Sequence, residues 1–224
     1  MLNLCQLGMT ALLKNPVYKK QSYFNRNFKG IINRTNHKMP KIVIISPSVR
    51  NGRNSHRVAL YFLNLLKEMN LVESEILDLL KYNFPLFHER LDHQESPSHG
   101  SLDFAEKIKM ADGVIIITPE YNGGYPASLK NAVDLLAGEW HRKPVAFAAV
   151  SDGTFAGSQV IISLQFSLWK LGAITVPYLL RLPKIDTAFD ENGVPADKPA
   201  TDKRASGLVK ELLWYIKAAK QASE

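Results

Sequence analysis

The sequence predicts an α/β domain: a doubly wound parallel sheet of five strands with helices on both faces. Three observations carry this. The runs at 41–46 (KIVIIS), 113–118 (GVIIIT) and 144–150 (PVAFAAV) are continuously apolar, as expected of strands buried on both faces. Segments with helical periodicity separate them, the pattern of a parallel sheet covered on both sides. The length of 224 residues and a hydrophobic content of 46% suit one globular domain with an appendage.

In chain order, 41–46 is the first strand. Residues 53–69 follow, with Val58, Leu60, Tyr61, Leu63, Leu65 and Leu66 set among polar residues as in an amphipathic helix. A second strand is expected at 75–80. Residues 81–100, with Pro85, Pro97 and three histidines, read as a long loop. A short helix at 102–110 leads to the strand 113–118. Residues 126–136 form a helix with Pro126 in its first turn, and 144–150 is the fourth strand. Residues 158–171 form a helix closed by Gly172. A fifth strand is expected at 173–177, a polar segment at 181–198 and a closing amphipathic helix at 200–219. There is no internal repeat and no second folded domain.

The charge is unevenly placed. Residues 1–38 carry seven Lys and Arg and no acid, which is the whole of the net +7. Residues 39–224 are balanced, with 21 of each sign. The basic excess therefore does not mark the domain as a nucleic-acid or membrane binder. Three readings of 1–38 stand: an upstream extension with Met39 as the working start, a targeting presequence, or a basic arm. The first is preferred, because the segment lacks periodicity and Met39-Pro40 leads straight into a strand. The expected organisation is thus an extension at 1–38 and a domain at 39–224. The lone Cys5 excludes an internal disulfide and a cysteine-based zinc site, and points to a reducing, cytoplasmic setting. No apolar run reaches the roughly 18 residues of a membrane span.

In doubly wound sheets ligands sit beyond the carboxyl ends of the strands. Three loops there hold the candidates. The loop at 46–56 offers Ser48, Arg50, Arg53, Ser55 and His56 with Gly52 before a helix N-terminus, a setting for an anion; the alternative is a polar turn capped by Ser55. It has neither G-x-x-x-x-G-K-[ST] nor G-x-G-x-x-G. The loop at 118–126 holds Pro119, Glu120, Tyr121, Asn122, Gly123, Gly124 and Tyr125. Its glycines admit a planar ligand and its tyrosines can stack on one, or it is a turn with surface tyrosines. The loop at 151–157 begins Ser151-Asp152-Gly153-Thr154 and reads equally as an ordinary strand-to-helix turn.

Taken together, Ser48-Val49-Arg50-Asn51-Gly52-Arg53-Asn54-Ser55 and Pro119-Glu120-Tyr121-Asn122-Gly123-Gly124-Tyr125-Pro126-Ala127-Ser128-Leu129-Lys130-Asn131-Ala132-Val133-Asp134 resemble the NADPH-dependent FMN reductase family. That family includes quinone, azo-dye and chromate reductases. The resemblance runs from about Pro40 to the last helix, and Pro119 to Asn122 is its most specific part. It implies a flavodoxin-like three-layer fold with strand order 2-1-3-4-5. It implies that Ser48, Arg50 and Ser55, with Arg53 and His56 beside them, hold the FMN phosphate. It implies that Pro119, Glu120, Tyr121, Asn122 and Gly123 border the isoalloxazine, largely through backbone groups, and that Ser151, Asp152, Gly153 and Thr154 line its other side. One departure is visible: Pro47 stands where the family usually has glycine, which removes an N–H from the loop.

The chemistry implied is electron transfer from NADPH or NADH through FMN to small acceptors such as quinones, azo compounds, free flavin or metal oxyanions. It needs no side-chain nucleophile, in keeping with the lack of a G-x-S-x-G motif. A homodimer or homotetramer is implied by the family, and no nucleic-acid, membrane or metal partner. A flavodoxin-like electron carrier is the alternative, and a phosphate-binding hydrolase on the same sheet the third reading. His88 to His93 resembles H-E-x-x-H with the second histidine one residue late, and is expected to be loop rather than a metal site. Trp140 and Trp169 are expected to pack or to lie in an interface, and Trp214 to lie in the core.

Overall fold

A computed structural model describes residues 39–153 and 157–223. The segment 1–38 and its three readings lie outside the described residues, as does Thr154. The five strands are β1 (Lys41–Ser46), β2 (Glu73–Asp78), β3 (Gly113–Pro119), β4 (Pro144–Val150) and β5 (Ile174–Leu182). They form one parallel sheet in the order β2-β1-β3-β4-β5. The helices are α1 (Asn54–Met69), α2 (Leu79–Tyr82), α3 (His99–Met110), α4 (Ala127–Leu135), α5 (Ser158–Lys170), α6 (Ile185–Ala188) and α7 (Lys198–Gln221).

The period of two along each strand divides the core. Val43 and Ile45, Val114 and Ile116, and Val145 and Phe147 point to the face covered by α3, α4 and α5, where Phe104, Ile108, Leu129, Val133, Val160 and Leu164 meet them. Ile42, Ile44, Ile115 and Ile117 are equally buried on the opposite face, where α1 and α7 pack. Here α7 comes so close that a Cβ on Gly113 would stand 2.6 Å from Ile216 Cδ1. Each buried aliphatic of this kind contributes roughly 1.5–3 kcal/mol. That layered core holds the strand ends, and hence the loops beyond them, in fixed positions.

Two strands differ from expectation. β2 lies two residues earlier than 75–80. The apolar run continues into Leu79 and Leu80, but Asp78, the last residue of the strand, accepts the Leu80 N–H at 3.1 Å, so the chain turns into α2. β5 continues past Pro177, expected as its end. Among the described residues β5 is an edge strand paired only with β4, and its register shifts between Val145 and Phe147, leaving Pro177 in an irregular stretch that asks for no ladder N–H. Within the expected loop 81–100, a 3-10 turn forms at Leu91–His93, and Ser98 starts α3 early by accepting the Ser101 N–H at 3.1 Å. His88 and His93 therefore share no helix.

The tryptophans divide. Trp140 is fully buried, and its indole N–H donates to the Val133 carbonyl at 3.2 Å. Trp214, expected in the core, is 55% exposed and lies edge-on to Tyr215. The buried stripe of α7 runs through Leu208, Val209, Leu212, Leu213 and Ile216. Trp214 is one residue past Leu213, about 100° further round the helix, and so faces outward.

Candidate functional site

The loop after β1 is tied down on two sides. Arg53 donates from Nη1 to the Ser48 carbonyl at 2.9 Å, and its guanidinium forms a two-pronged pair with Asp78 at the end of β2, Nη2 to Oδ2 at 2.7 Å. Both side chains of this pair are largely buried. Burial alone would raise the Asp78 carboxyl, but the hydrogen bonds and charge of Arg53, with the Leu80 N–H, hold it below the ordinary carboxylate range. On the other side the Pro47 carbonyl accepts from Ser128 Oγ in the first turn of α4. Gly52 takes φ +64 with open space where a Cβ would stand, so its backbone conformation, not crowding, calls for glycine.

This frame presents the start of α1 to the strand ends. The helix begins at Asn54, with Arg53 as its cap residue, whose side chain makes no capping hydrogen bond. Ser55 is therefore in the first turn and is not the cap. Its Oγ is buried and has no hydrogen-bond partner among the described residues. Such an orphan costs about 1–3 kcal/mol and asks for a reason. The Ser48 and Ser55 hydroxyls and the free amides at the start of α1 are donors of the kind that suits an anion such as a phosphate monoester. Arg50 is exposed beside them. His56 Nδ1 lies 2.9 Å from Ser46 Oγ. Its pKa is lowered from 6.5, first by burial and then by Arg53 and Lys81 against the opposing pull of Asp78, so the ring is neutral near pH 7.

The loop after β3 is built on a tight turn. Tyr121 and Gly124 exchange backbone hydrogen bonds of 2.8 and 3.0 Å. Asn122 and Gly123, between them, both have positive φ (51 and 78). Asn-Gly is the pair that tolerates this geometry best. Tyr121 then reaches the first loop: its OH lies 2.8 Å from Ser48 Oγ, and Arg50 Cζ stands 5.4 Å from the centre of its ring. Glu120 points the other way, where one carboxylate oxygen accepts the Gln159 and Val160 N–H groups, each at 3.0 Å, at the start of α5. Tyr125 OH lies 2.8 Å from Ser167 Oγ, further along the same helix.

The loop after β4 is described at 151–153. Ser151 Oγ accepts the Gly153 N–H at 3.0 Å, and the Ser151 N–H donates to the Leu182 carbonyl at 3.2 Å. Asp152 and Gly153 are exposed. Because β1, β3 and β4 are parallel neighbours, all three candidate loops emerge at the same end of the sheet, beyond the carboxyl ends of the strands. The first and second touch through Ser48 and Tyr121; the second reaches the helix after the third through Glu120. Three participants escape a reading of the sequence as site residues: Asp78, Ser128 and Gln159. Only Asp78 carries a local signal, as an acid ahead of a helical turn. The others depend on long-range contact.

The family model described as NADPH-dependent FMN reductase matches residues 40–185. An NAD(P)H-dependent FMN reductase of Schizosaccharomyces pombe is 33% identical over 130 residues, covering 56% of this chain and 64% of that protein. An NADPH azoreductase of a Bacillus species is 29% identical over 185 residues, covering 82% of this chain and 97% of that one. Among solved structures, the flavoenzyme NAD(P)H:(acceptor) oxidoreductase FerB of Paracoccus denitrificans superposes with a TM-score of 0.66 at 22% identity, over 80% of this chain and 98% of that one. A mutant flavodoxin of Pseudomonas aeruginosa gives 0.50 at 21% identity, over 79% and 99%. At these identities the structures show the fold, and the fold is flavodoxin-like.

Proposed function

Since this chain belongs to the NADPH-dependent FMN reductase family, we propose that it passes electrons from NADPH or NADH through FMN to small acceptors: quinones, azo compounds, free flavin or metal oxyanions. The observation that carries this reading is the buried Ser55 Oγ, without a partner among the described residues, at a helix start whose cap residue Arg53 makes no side-chain capping bond. A phosphate there would supply the missing partner.

Each residue then has a task. Ser48 and Ser55 donate to the phosphate, and Arg50 adds a charge-assisted contact. Arg53, engaged with Asp78 and the Ser48 carbonyl, shapes the loop, and the neutral His56 lies beside it. Pro119, Glu120, Tyr121, Asn122 and Gly123 border the ring through their backbone, with Ser151, Asp152, Gly153 and Thr154 on its other side. When bound, FMN supplies the hydride acceptance and electron release that no side chain here can provide. The chain's own residues bind, orient and keep water from one face of the ring. Pro47 costs the loop one amide, but its carbonyl is held by Ser128, which leaves the later amides of the loop to face the ligand.

Self-association completes the reading. Ile162, Phe166 and Trp169 recur at helical spacing on α5 and are 72%, 61% and 63% exposed, an apolar stripe that supports a homodimer or homotetramer. Among the described residues no helix is long and apolar enough to cross a membrane. We assign FMN binding to 39–224, so a chain starting at Met39 retains it.

Steady-state oxidation of NADPH in the presence of a quinone, with no other reductase added, tests the proposal. Turnover is expected. A protein that binds FMN yet oxidises NADPH only when a separate reductase is supplied would be an electron carrier instead.

A further inference from the structure

Glu120 lies in the most distinctive part of the second loop, yet its carboxylate is spent on a different element. It accepts the Gln159 and Val160 N–H groups, the second and third residues of α5. The cap position of α5 is Gly157, which has no side chain to do this and takes φ +68. A Cβ there would stand 3.3 Å from Ala149 Cβ and 3.5 Å from Glu120 Cβ, so the helix start is pressed against the end of β4 and against Glu120 itself. The contact continues on the far side of the turn, where Gln159 Oε1 lies 2.8 Å from where a Cβ on Gly123 would be. An acid borrowed from the loop after β3 thus caps the helix that follows the loop after β4.

We propose that Glu120 is a positioning residue for the flavin: by capping α5 it fixes the spacing between the loop at 119–123 and the helix start that follows the loop beginning at 151–153. This rests on the reading of those two loops as the walls of the FMN ring site. The carboxylate does not touch the ligand. It acts through the N-terminus of α5, so that the two walls move as one body.

Two measurements test this. In the first, FMN is titrated into wild type, Glu120→Ala and Glu120→Gln, following quenching of flavin fluorescence and the visible band of the bound flavin. Gln keeps an acceptor oxygen and Ala does not. Glu120→Ala is expected to bind roughly two- to tenfold more weakly and, once saturated, to show an altered visible band. Glu120→Gln is expected to stay close to wild type in both. Equal binding by wild type and Glu120→Ala would overturn the inference alone; so would an equal loss in both variants, which would make the charge itself the active feature. Wild type that binds no FMN would overturn the functional reading and the inference with it.

The second measurement needs no variant. FMN binding to wild type is expected to slow amide exchange at Gln159 and Val160 together with 119–123. Slowing at 119–123 with no change at Gln159 and Val160 would overturn the coupling.

Discussion

The hydroxyls of Ser48 and Tyr121 lie 2.8 Å apart and join the loop after β1 to the loop after β3, across the point where the strand order reverses. Arg50 lies over the same tyrosine ring. The proposed phosphate end and ring end of the candidate site are therefore joined at Tyr121. Tyr121→Phe keeps the ring under Arg50 and loses only the hydroxyl. It is expected to weaken FMN binding about threefold, in line with one neutral hydrogen bond. Tyr121→Ala removes the ring as well and should weaken it further. Fluorescence titration reads both.

Ser55 offers a test in which stability and binding move apart. Its buried Oγ has no partner among the described residues, so Ser55→Ala removes an unsatisfied group. The FMN-free protein should be as stable as wild type or more stable, by up to about 1 kcal/mol, in urea unfolding. FMN affinity should fall roughly tenfold or more, because a hydrogen bond to a charged phosphate is lost. A parallel loss of stability and binding would mean that the hydroxyl serves the core.

The pair between Arg53 and Asp78 is buried and two-pronged, and Asp78 also caps α2. Asp78→Ala leaves a buried guanidinium without its partner and is expected to cost about 3–5 kcal/mol in stability, with the phosphate loop loosened as well. The Asp78 carboxyl is held below its ordinary value of 3.8 in the fold. The folded state therefore binds its proton less readily than the unfolded chain. Its contribution is complete above that value and is lost as pH falls through the lower, folded one. Chemical denaturation across this acid range checks the sign.

His56 gives a second pH effect nearer neutrality. Its folded pKa lies below 6.5, chiefly through burial, with Arg53 and Lys81 adding to the shift and Asp78 opposing it. Between the two values the unfolded chain takes up a proton that the folded protein refuses. Stability is then full above pH 6.5 and declines as pH falls below it. His56→Gln, which does not titrate, is expected to flatten the thermal unfolding profile between about pH 7 and 5. An identical profile for the variant would remove His56 as the cause.

Much of this structure is written locally. The runs at β1, β3 and β4 carry their own assignment because a strand buried on both faces needs apolar residues throughout. Boundaries are misread where one residue overrides a pattern. Asp78 ends β2 by capping, although the apolar run goes on to Leu80. Pro177 does not end β5, because an edge strand with a register shift can absorb it. Trp214 looks like part of an apolar stripe and lies one position outside it. The three loops could be named from residue types and from the family resemblance. Their wiring could not: Ser48 to Tyr121, Arg53 to Asp78 and Glu120 to α5 each join residues far apart in the chain, and no local spacing encodes such contacts.

The central claim is that the loop after β1 and the start of α1 hold the phosphate of FMN. Its most direct test is calorimetric titration of the flavin-free protein with FMN and, in parallel, with riboflavin, which has the same ring and no phosphate. FMN should bind on the order of a hundredfold more tightly, the contribution of two or more charge-assisted hydrogen bonds. Equal affinity for the two ligands would contradict the assignment of Ser48, Arg50 and Ser55 to the phosphate.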